Sequence, residues 1–102
     1  MKKIKNAIIS VSDKKKLNLL LKILKKHKIK ILSSGGTYRE IKKLGFECHE
    51  ISKYTNFNEI LDGRVKTLHP KIYAGILNKR DEKNHKNDMR LNKFENIDLV
   101  IV

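Results

Sequence analysis

The chain has 102 residues, enough for one modest hydrophobic core and no more. Hydrophobic residues make up 39 %, and no apolar run approaches the roughly 18 residues a membrane-spanning helix needs. Twenty-four Lys and Arg against eleven Asp and Glu leave a net charge of +13, which would attract a polyanion, but aromatics at 6 % are too few for base-stacking platforms.

The basic start, Met1 to Asn6, leads into a short apolar stretch broken by Ser10, so a signal peptide is not expected. Cys48 stands alone and cannot form an internal disulfide, which fits a reducing, cytoplasmic setting. Two readings of the charge compete. One is nucleic-acid binding, although no zinc spacing, glycine-aromatic signature or basic heptad accompanies it. The other is that Lys, Ile and Asn are abundant together, as A- and T-rich coding DNA produces, and the lysines sit on solvated helix faces, with a small anionic substrate accounting for some of them.

Asn6 to Val11 is a short, branched apolar run that reads as a buried strand. Ser12-Asp13 can cap the helix that follows, where Leu17, Leu20, Leu21 and Leu24 recur at helical spacing among lysines, predicting an amphipathic helix over 13–27. Ile29 to Ser33 is a second strand. Ser34-Gly35-Gly36-Thr37 breaks it before a second helix marked by Tyr38, Ile41 and Leu44 and ended by Gly45. Phe46 to Ile51 reads as a third strand. The alternation predicts an α/β fold with a mainly parallel sheet and helices on its faces.

Ser52 to Pro70 has no clean period and reads as functional loop; Lys71 to Leu77 is apolar enough to pack, and Asn78 to Asn92 reads as exposed. Ile97 to Val102 is strongly apolar and predicts a fourth, central parallel strand. No repeat or linker divides the chain.

Three polar segments can carry chemistry. Ser10-Val11-Ser12-Asp13-Lys14 places a hydroxyl, helix-start amides and a cation together, an anion site or only a helix cap. Ser33-Ser34-Gly35-Gly36-Thr37 lets the backbone approach a phosphate with hydroxyls around it; it also reads as a tight turn with a Thr cap. Leu61-Asp62-Gly63-Arg64-Val65-Lys66-Thr67-Leu68-His69-Pro70 is the most specific stretch. Arg64 and Lys66, two apart in extended chain, point the same way and suit a doubly anionic group or a developing oxyanion, or else belong to a basic surface loop. His69 could move protons, but a single His beside Pro70 more simply bonds locally.

These three segments, with Tyr54-Thr55 between them, resemble the bifunctional purine biosynthesis proteins, which join a phosphoribosylaminoimidazolecarboxamide formyltransferase to an inosine-monophosphate cyclohydrolase. The resemblance runs from about Ile4 to Val102, with mild departures at Ser34 and at Tyr73-Ala74. It implies that residues 1–102 are the N-terminal part of the cyclohydrolase domain, a truncated methylglyoxal-synthase-like three-layer α/β/α sandwich without the formyltransferase domain. It implies further that Ser12, Asp13, Lys14, Ser34, Gly35, Gly36, Thr37, Arg64, Val65, Lys66 and Thr67 line a purine-nucleotide site, with Lys66 in the catalytic, electrostatic role.

The implied reaction is attack of a carboxamide nitrogen on a formyl carbon with loss of water, giving inosine monophosphate. Read as its reverse, this makes the enzyme a hydrolase of a cyclic amidine. The implied step needs no cofactor and no metal; 10-formyltetrahydrofolate would serve the missing transferase half. Implied partners are the nucleotide substrate and product and a second copy in a homodimer, with no specific nucleic acid and no membrane. Because further site segments of the family follow this stretch, the chain by itself is expected to be inactive. Two relatives of the same fold fit less well. The carbamoyl-phosphate synthetase regulatory domain lacks the long loop motif, and methylglyoxal synthase has a His-Asp first turn that is absent here.

Overall fold

The computed structural model describes residues 3–12, 15–57 and 69–102. Four strands, β1 (Asn6–Ile9), β2 (Lys30–Ser33), β3 (His49–Glu50) and β4 (Leu99–Ile101), form one sheet in the order β3-β2-β1-β4, and all neighbours are parallel. Five helices accompany them: α1 (Leu17–Lys26), α2 (Gly35–Lys43), α3 (Ile51–Thr55), α4 (Pro70–Leu77) and α5 (Lys83–Leu91).

Successive strand residues point to opposite faces, so each strand feeds two cores. Ile9 and Ile31 join Leu17, Leu21 and Leu24 of α1 and Ile41 of α2 on one face. Ile8 and Leu32 join Ile51 of α3, Ile72 of α4 and Ile97 on the other. Helices therefore cover both faces, and the layers are α/β/α. The apolar alternation of β1 is possible only for a strand buried on both sides, and all four of its residues are buried.

The leucine spacing of α1 does what its period requires: Leu17, Leu21 and Leu24 are buried and Leu20 partly so. Filling such a position contributes about 2 kcal/mol per side chain. The helix begins at Leu17, not at residue 13, with Lys16 at its cap and no side-chain cap bond. The helix α2 ends as its sequence requires: Gly45 has φ +89°, and Phe46 N–H donates to Ile41 O at 3.2 Å, closing the last turn.

Elsewhere the structure departs from the sequence pattern. The third strand is two residues long, because Phe46 and Cys48 turn onto the first core without extending the ladder, and Ile51 opens α3. Part of the expected loop is thus helix, ended by Asn56 at φ +58°. The exposed stretch 78–92 contains α5, whose Met89 is buried. The apolar run ending in Val102 pairs over only three residues and lies at the sheet edge, not at its centre; β1 and β2 are the strands with neighbours on both sides. Val100 is accordingly 48 % exposed.

Candidate functional site

Strand order decides where a ligand can bind. The chain runs β1, β2, β3 in one direction across the sheet, then returns to place β4 on the far side of β1. The order reverses between β1 and β4, and in open parallel sheets the crevice at the carboxyl ends of the strands at such a point is the usual ligand site. Ser10, Val11 and Ser12 follow β1 there, and Ser10 N–H donates to Ile101 O at 2.8 Å, binding the two strand ends together.

The first and second turns meet directly. Thr37 Oγ1 donates to Val11 O at 3.1 Å and accepts from Val11 N–H at 3.3 Å. Thr37 is buried, so this reciprocal pair fastens the post-β1 turn to the first turn of α2. The hydroxyl read from sequence as a ligand donor, or as the helix cap, spends its proton on this clasp. The cap position belongs to Ser34, in extended conformation, and the two glycines are the first residues of the helix.

Ser33 and Ser34 are adjacent and both buried, but they differ chemically. Ser33 Oγ donates to Ile9 O at 2.6 Å and stitches β2 to β1. Ser34 Oγ is buried with no hydrogen-bond partner among the described residues. An unpaired buried hydroxyl costs about 1–3 kcal/mol, so its persistence at a helix start asks for a reason. Around it, the opening amides of α2 have no intrahelical acceptors, as at every helix N-terminus. Gly35 adopts φ +56°, a conformation a side chain would strain. At Gly36 an added Cβ would meet only the Arg39 side chain, at 3.9 Å. Hydroxyl, amides and open backbone are the donor types that anion binding at a helix start uses.

Ser12 lies exposed at the first turn. Asp13, Lys14, Arg64, Val65, Lys66 and Thr67 fall outside the described residues. His69, at the near end of the α3-to-α4 connection, is the N-cap of α4: its Nδ1 accepts from Lys71 N–H at 3.0 Å, and Pro70 occupies the first helical position. The imidazole accepts through Nδ1 in a local helix cap, the kind of local bonding its place beside Pro70 suggested.

The Arg80 cluster at the opposite end of the sheet went unrecognised in the sequence. Arg80 Nη2 donates to Gly75 O at 3.1 Å and Ile97 O at 3.0 Å, and Nη1 to Asn78 O at 2.7 Å. Its partner Asp98, 3.8 Å away, accepts Lys5 N–H and Asn6 N–H. These bonds join the end of α4 to the starts of β1 and β4. Gly75 permits the approach, since a Cβ there would stand 2.9 Å from Glu95 O. Only the bidentate habit of arginine could have hinted at this in the sequence. Of the described groups, no trio of His, Cys, Asp or Glu is placed to hold a metal, and no helix is long and apolar enough to cross a membrane.

Comparison with known proteins agrees with this architecture. Residues 16–102 match the MGS-like domain family. The chain is 46 % identical over all 102 of its residues to the bifunctional purine biosynthesis protein PurH of Magnetococcus marinus, covering 19 % of that protein. It is 48 % identical over 99 residues to PurH of Clostridium acetobutylicum, covering 20 %. The chain therefore spans about a fifth of the length of the curated relatives it matches. Among solved structures, a crystal structure of ForH superposes with a TM-score of 0.85 at 31 % identity, covering 94 % of this chain and 48 % of that one. A parallel four-stranded sheet covered on both faces, a family match over most of the chain and whole-length similarity to PurH lead to one conclusion: the chain belongs to the MGS-like domain family.

Proposed function

We propose that this chain forms one wall of a purine-nucleotide site and serves de novo purine synthesis, in the closure of the formamido-imidazole-carboxamide ribonucleotide to inosine monophosphate. The observation that carries the reading is the unpartnered, buried Ser34 hydroxyl at the start of α2, clasped beside the post-β1 turn at the switch point of the sheet. A phosphate oxygen there would complete Ser34 and the open amides of α2 at once. Similarity to PurH supports the purine assignment.

The chemistry asks two things of a protein. It must hold the carboxamide nitrogen against the formyl carbon, and it must stabilise the oxygen that becomes anionic there before water leaves. In this reading Ser12, Ser34, Gly35 and Gly36 hold the phosphate end, and Asp13 and Lys14 line the same turn. Thr37 acts through its clasp on Val11. Arg64, Val65 and Thr67 belong to the nucleotide-binding set, Arg64 with a forked grip, and Lys66 supplies the point charge to the oxyanion. No cofactor takes part in this step. The companion transfer from 10-formyltetrahydrofolate belongs to a separate domain, the setting is the cytoplasm, and the complete enzyme is a homodimer.

The test is a calorimetric titration of the chain with inosine monophosphate. Saturable binding is expected, weakened by about 1–3 kcal/mol in Lys66→Ala, the range for charge-assisted hydrogen bonds, and unchanged in Lys22→Ala. Absence of saturable binding at millimolar nucleotide, or equal losses in both variants, would overturn the reading.

A further inference from the structure

Two concavities lie at the amino ends of the strands, the edge opposite the Ser34 turn. The larger, about 810 Å³, is bounded by Lys5 and Asn6 at the start of β1, Lys30 at the start of β2, and Lys86 of α5. The second, about 610 Å³, is bounded by Lys25, Lys28 and the loop before β3. Lys30 lines both, so they lie side by side as a divided trough at this end of the sheet. Eight Lys and Arg side chains line it against three carboxylates.

Those carboxylates are already engaged or outnumbered. Asp98 accepts two backbone amides and faces Arg80, and Glu95 pairs with Lys30 at 3.6 Å. Lys5, Lys28 and Lys86 make no ion pair among the described residues and are exposed. Concave walls focus a field that a convex face disperses into solvent. The floor is in part apolar: Met89 is buried, and Phe94 and Phe46 are half-buried.

We infer that this trough binds the phosphate backbone of single-stranded nucleic acid, independently of sequence and of the nucleotide site. An extended anion fits it better than a compact one, because the uncommitted lysines Lys5, Lys28 and Lys86 are spread over two neighbouring clefts. A single strand is flexible enough to follow lysines spread over two clefts, whereas a duplex, with a persistence length of about 150 bp, is too stiff to do so. With few aromatics and no base-reading side chains in register, recognition would be electrostatic.

The test is fluorescence anisotropy of the full chain with a labelled twelve-nucleotide oligo(dT), in 50 to 200 mM NaCl. For about five phosphate contacts, affinity should fall about a hundredfold across that range. Replacing Lys5, Lys28 and Lys86 together with Gln should weaken binding about tenfold or more at 100 mM and reduce the logarithmic salt slope by about 2. The matched control, Gln at Lys16, Lys22 and Lys43, should lose less than threefold. Equal losses in the two triple variants would show diffuse attraction by net charge and overturn the inference, as would tighter binding of a duplex of equal length. Excess inosine monophosphate should not displace the oligonucleotide; displacement would locate the strand at the Ser34 edge. A salt slope close to zero on the unaltered chain is equally fatal, and that measurement does not depend on any variant folding.

Discussion

The two ends of the parallel sheet treat their polar groups in opposite ways. At the amino end the buried and half-buried ones satisfy one another: Asp98 holds the amides of Lys5 and Asn6, Arg80 holds three carbonyls, and Asn6 Nδ2 donates to Asn96 O at 2.7 Å. Long lysines project beyond this closed network. At the carboxyl end Ser33 and Thr37 are spent internally, but Ser34 and the opening amides of α2 are not. Satisfied groups hold a fold together, and unsatisfied ones persist where a ligand can complete them.

That contrast can be broken experimentally, and the largest effect is expected at the amino end. Asp98→Ala strands two backbone amides and removes the ion pair of Arg80, and should cost about 3 kcal/mol in urea unfolding. A loss below about 1 kcal/mol would show that the network contributes little. Next comes the clasp: Thr37→Val keeps the volume but removes both bonds to Val11, at an expected cost of about 2 kcal/mol, with Thr37→Ser recovering at least half. Failure of the serine to recover stability would assign the effect to packing and not to the hydroxyl.

Ser34→Ala should behave in the contrary way. Stability should stay within about 0.5 kcal/mol of the parent or rise, since a partnerless hydroxyl is removed, while affinity for inosine monophosphate falls roughly fivefold to tenfold. If it destabilises like Thr37→Val, the hydroxyl is structural and the distinction between the two ends fails.

The smallest effect concerns Cys48, in the loop before β3 and outside the Arg80–Asp98 network. Burial raises its thiol to about 11, with Lys42 opposing and Glu50 assisting. The folded chain keeps this proton where an unfolded thiol, at about 8.5, has lost it. Its contribution is therefore complete below that value and lost as pH rises toward 11. Cys48→Ala should flatten that part of the decline, as compared by urea midpoints at pH 8 and 10.5. Iodoacetamide should also modify the folded chain slowly at pH 8; a rate equal to that of a small free thiol would refute the burial argument.

Much of the frame was legible in one dimension. The leucine period of α1, the two-sided apolar run of β1 and the glycine after α2 each report a local requirement, and local requirements are written residue by residue. That one turn follows β1 and another β2 on the same edge of the sheet was equally readable, because strand-helix alternation implies a parallel sheet. What sequence could not reach were matters of partnership. Ser33 and Ser34 are identical letters, and only the approach of Ile9 makes one a stitch and leaves the other unfilled. Thr37 reads as a ligand donor until Val11 comes within 3.1 Å. The third and fourth strands are shorter than their apolar runs because pairing depends on a neighbour, not on propensity. The lysines read as a solvated coating until Lys30 proves to be shared by two clefts. Periodicity and turn chemistry are properties of neighbouring residues and are fixed by the chain itself; a hydrogen-bond partner or a shared cleft comes from segments up to 93 positions apart, as Lys5 and Asp98 are, and exists only once they meet.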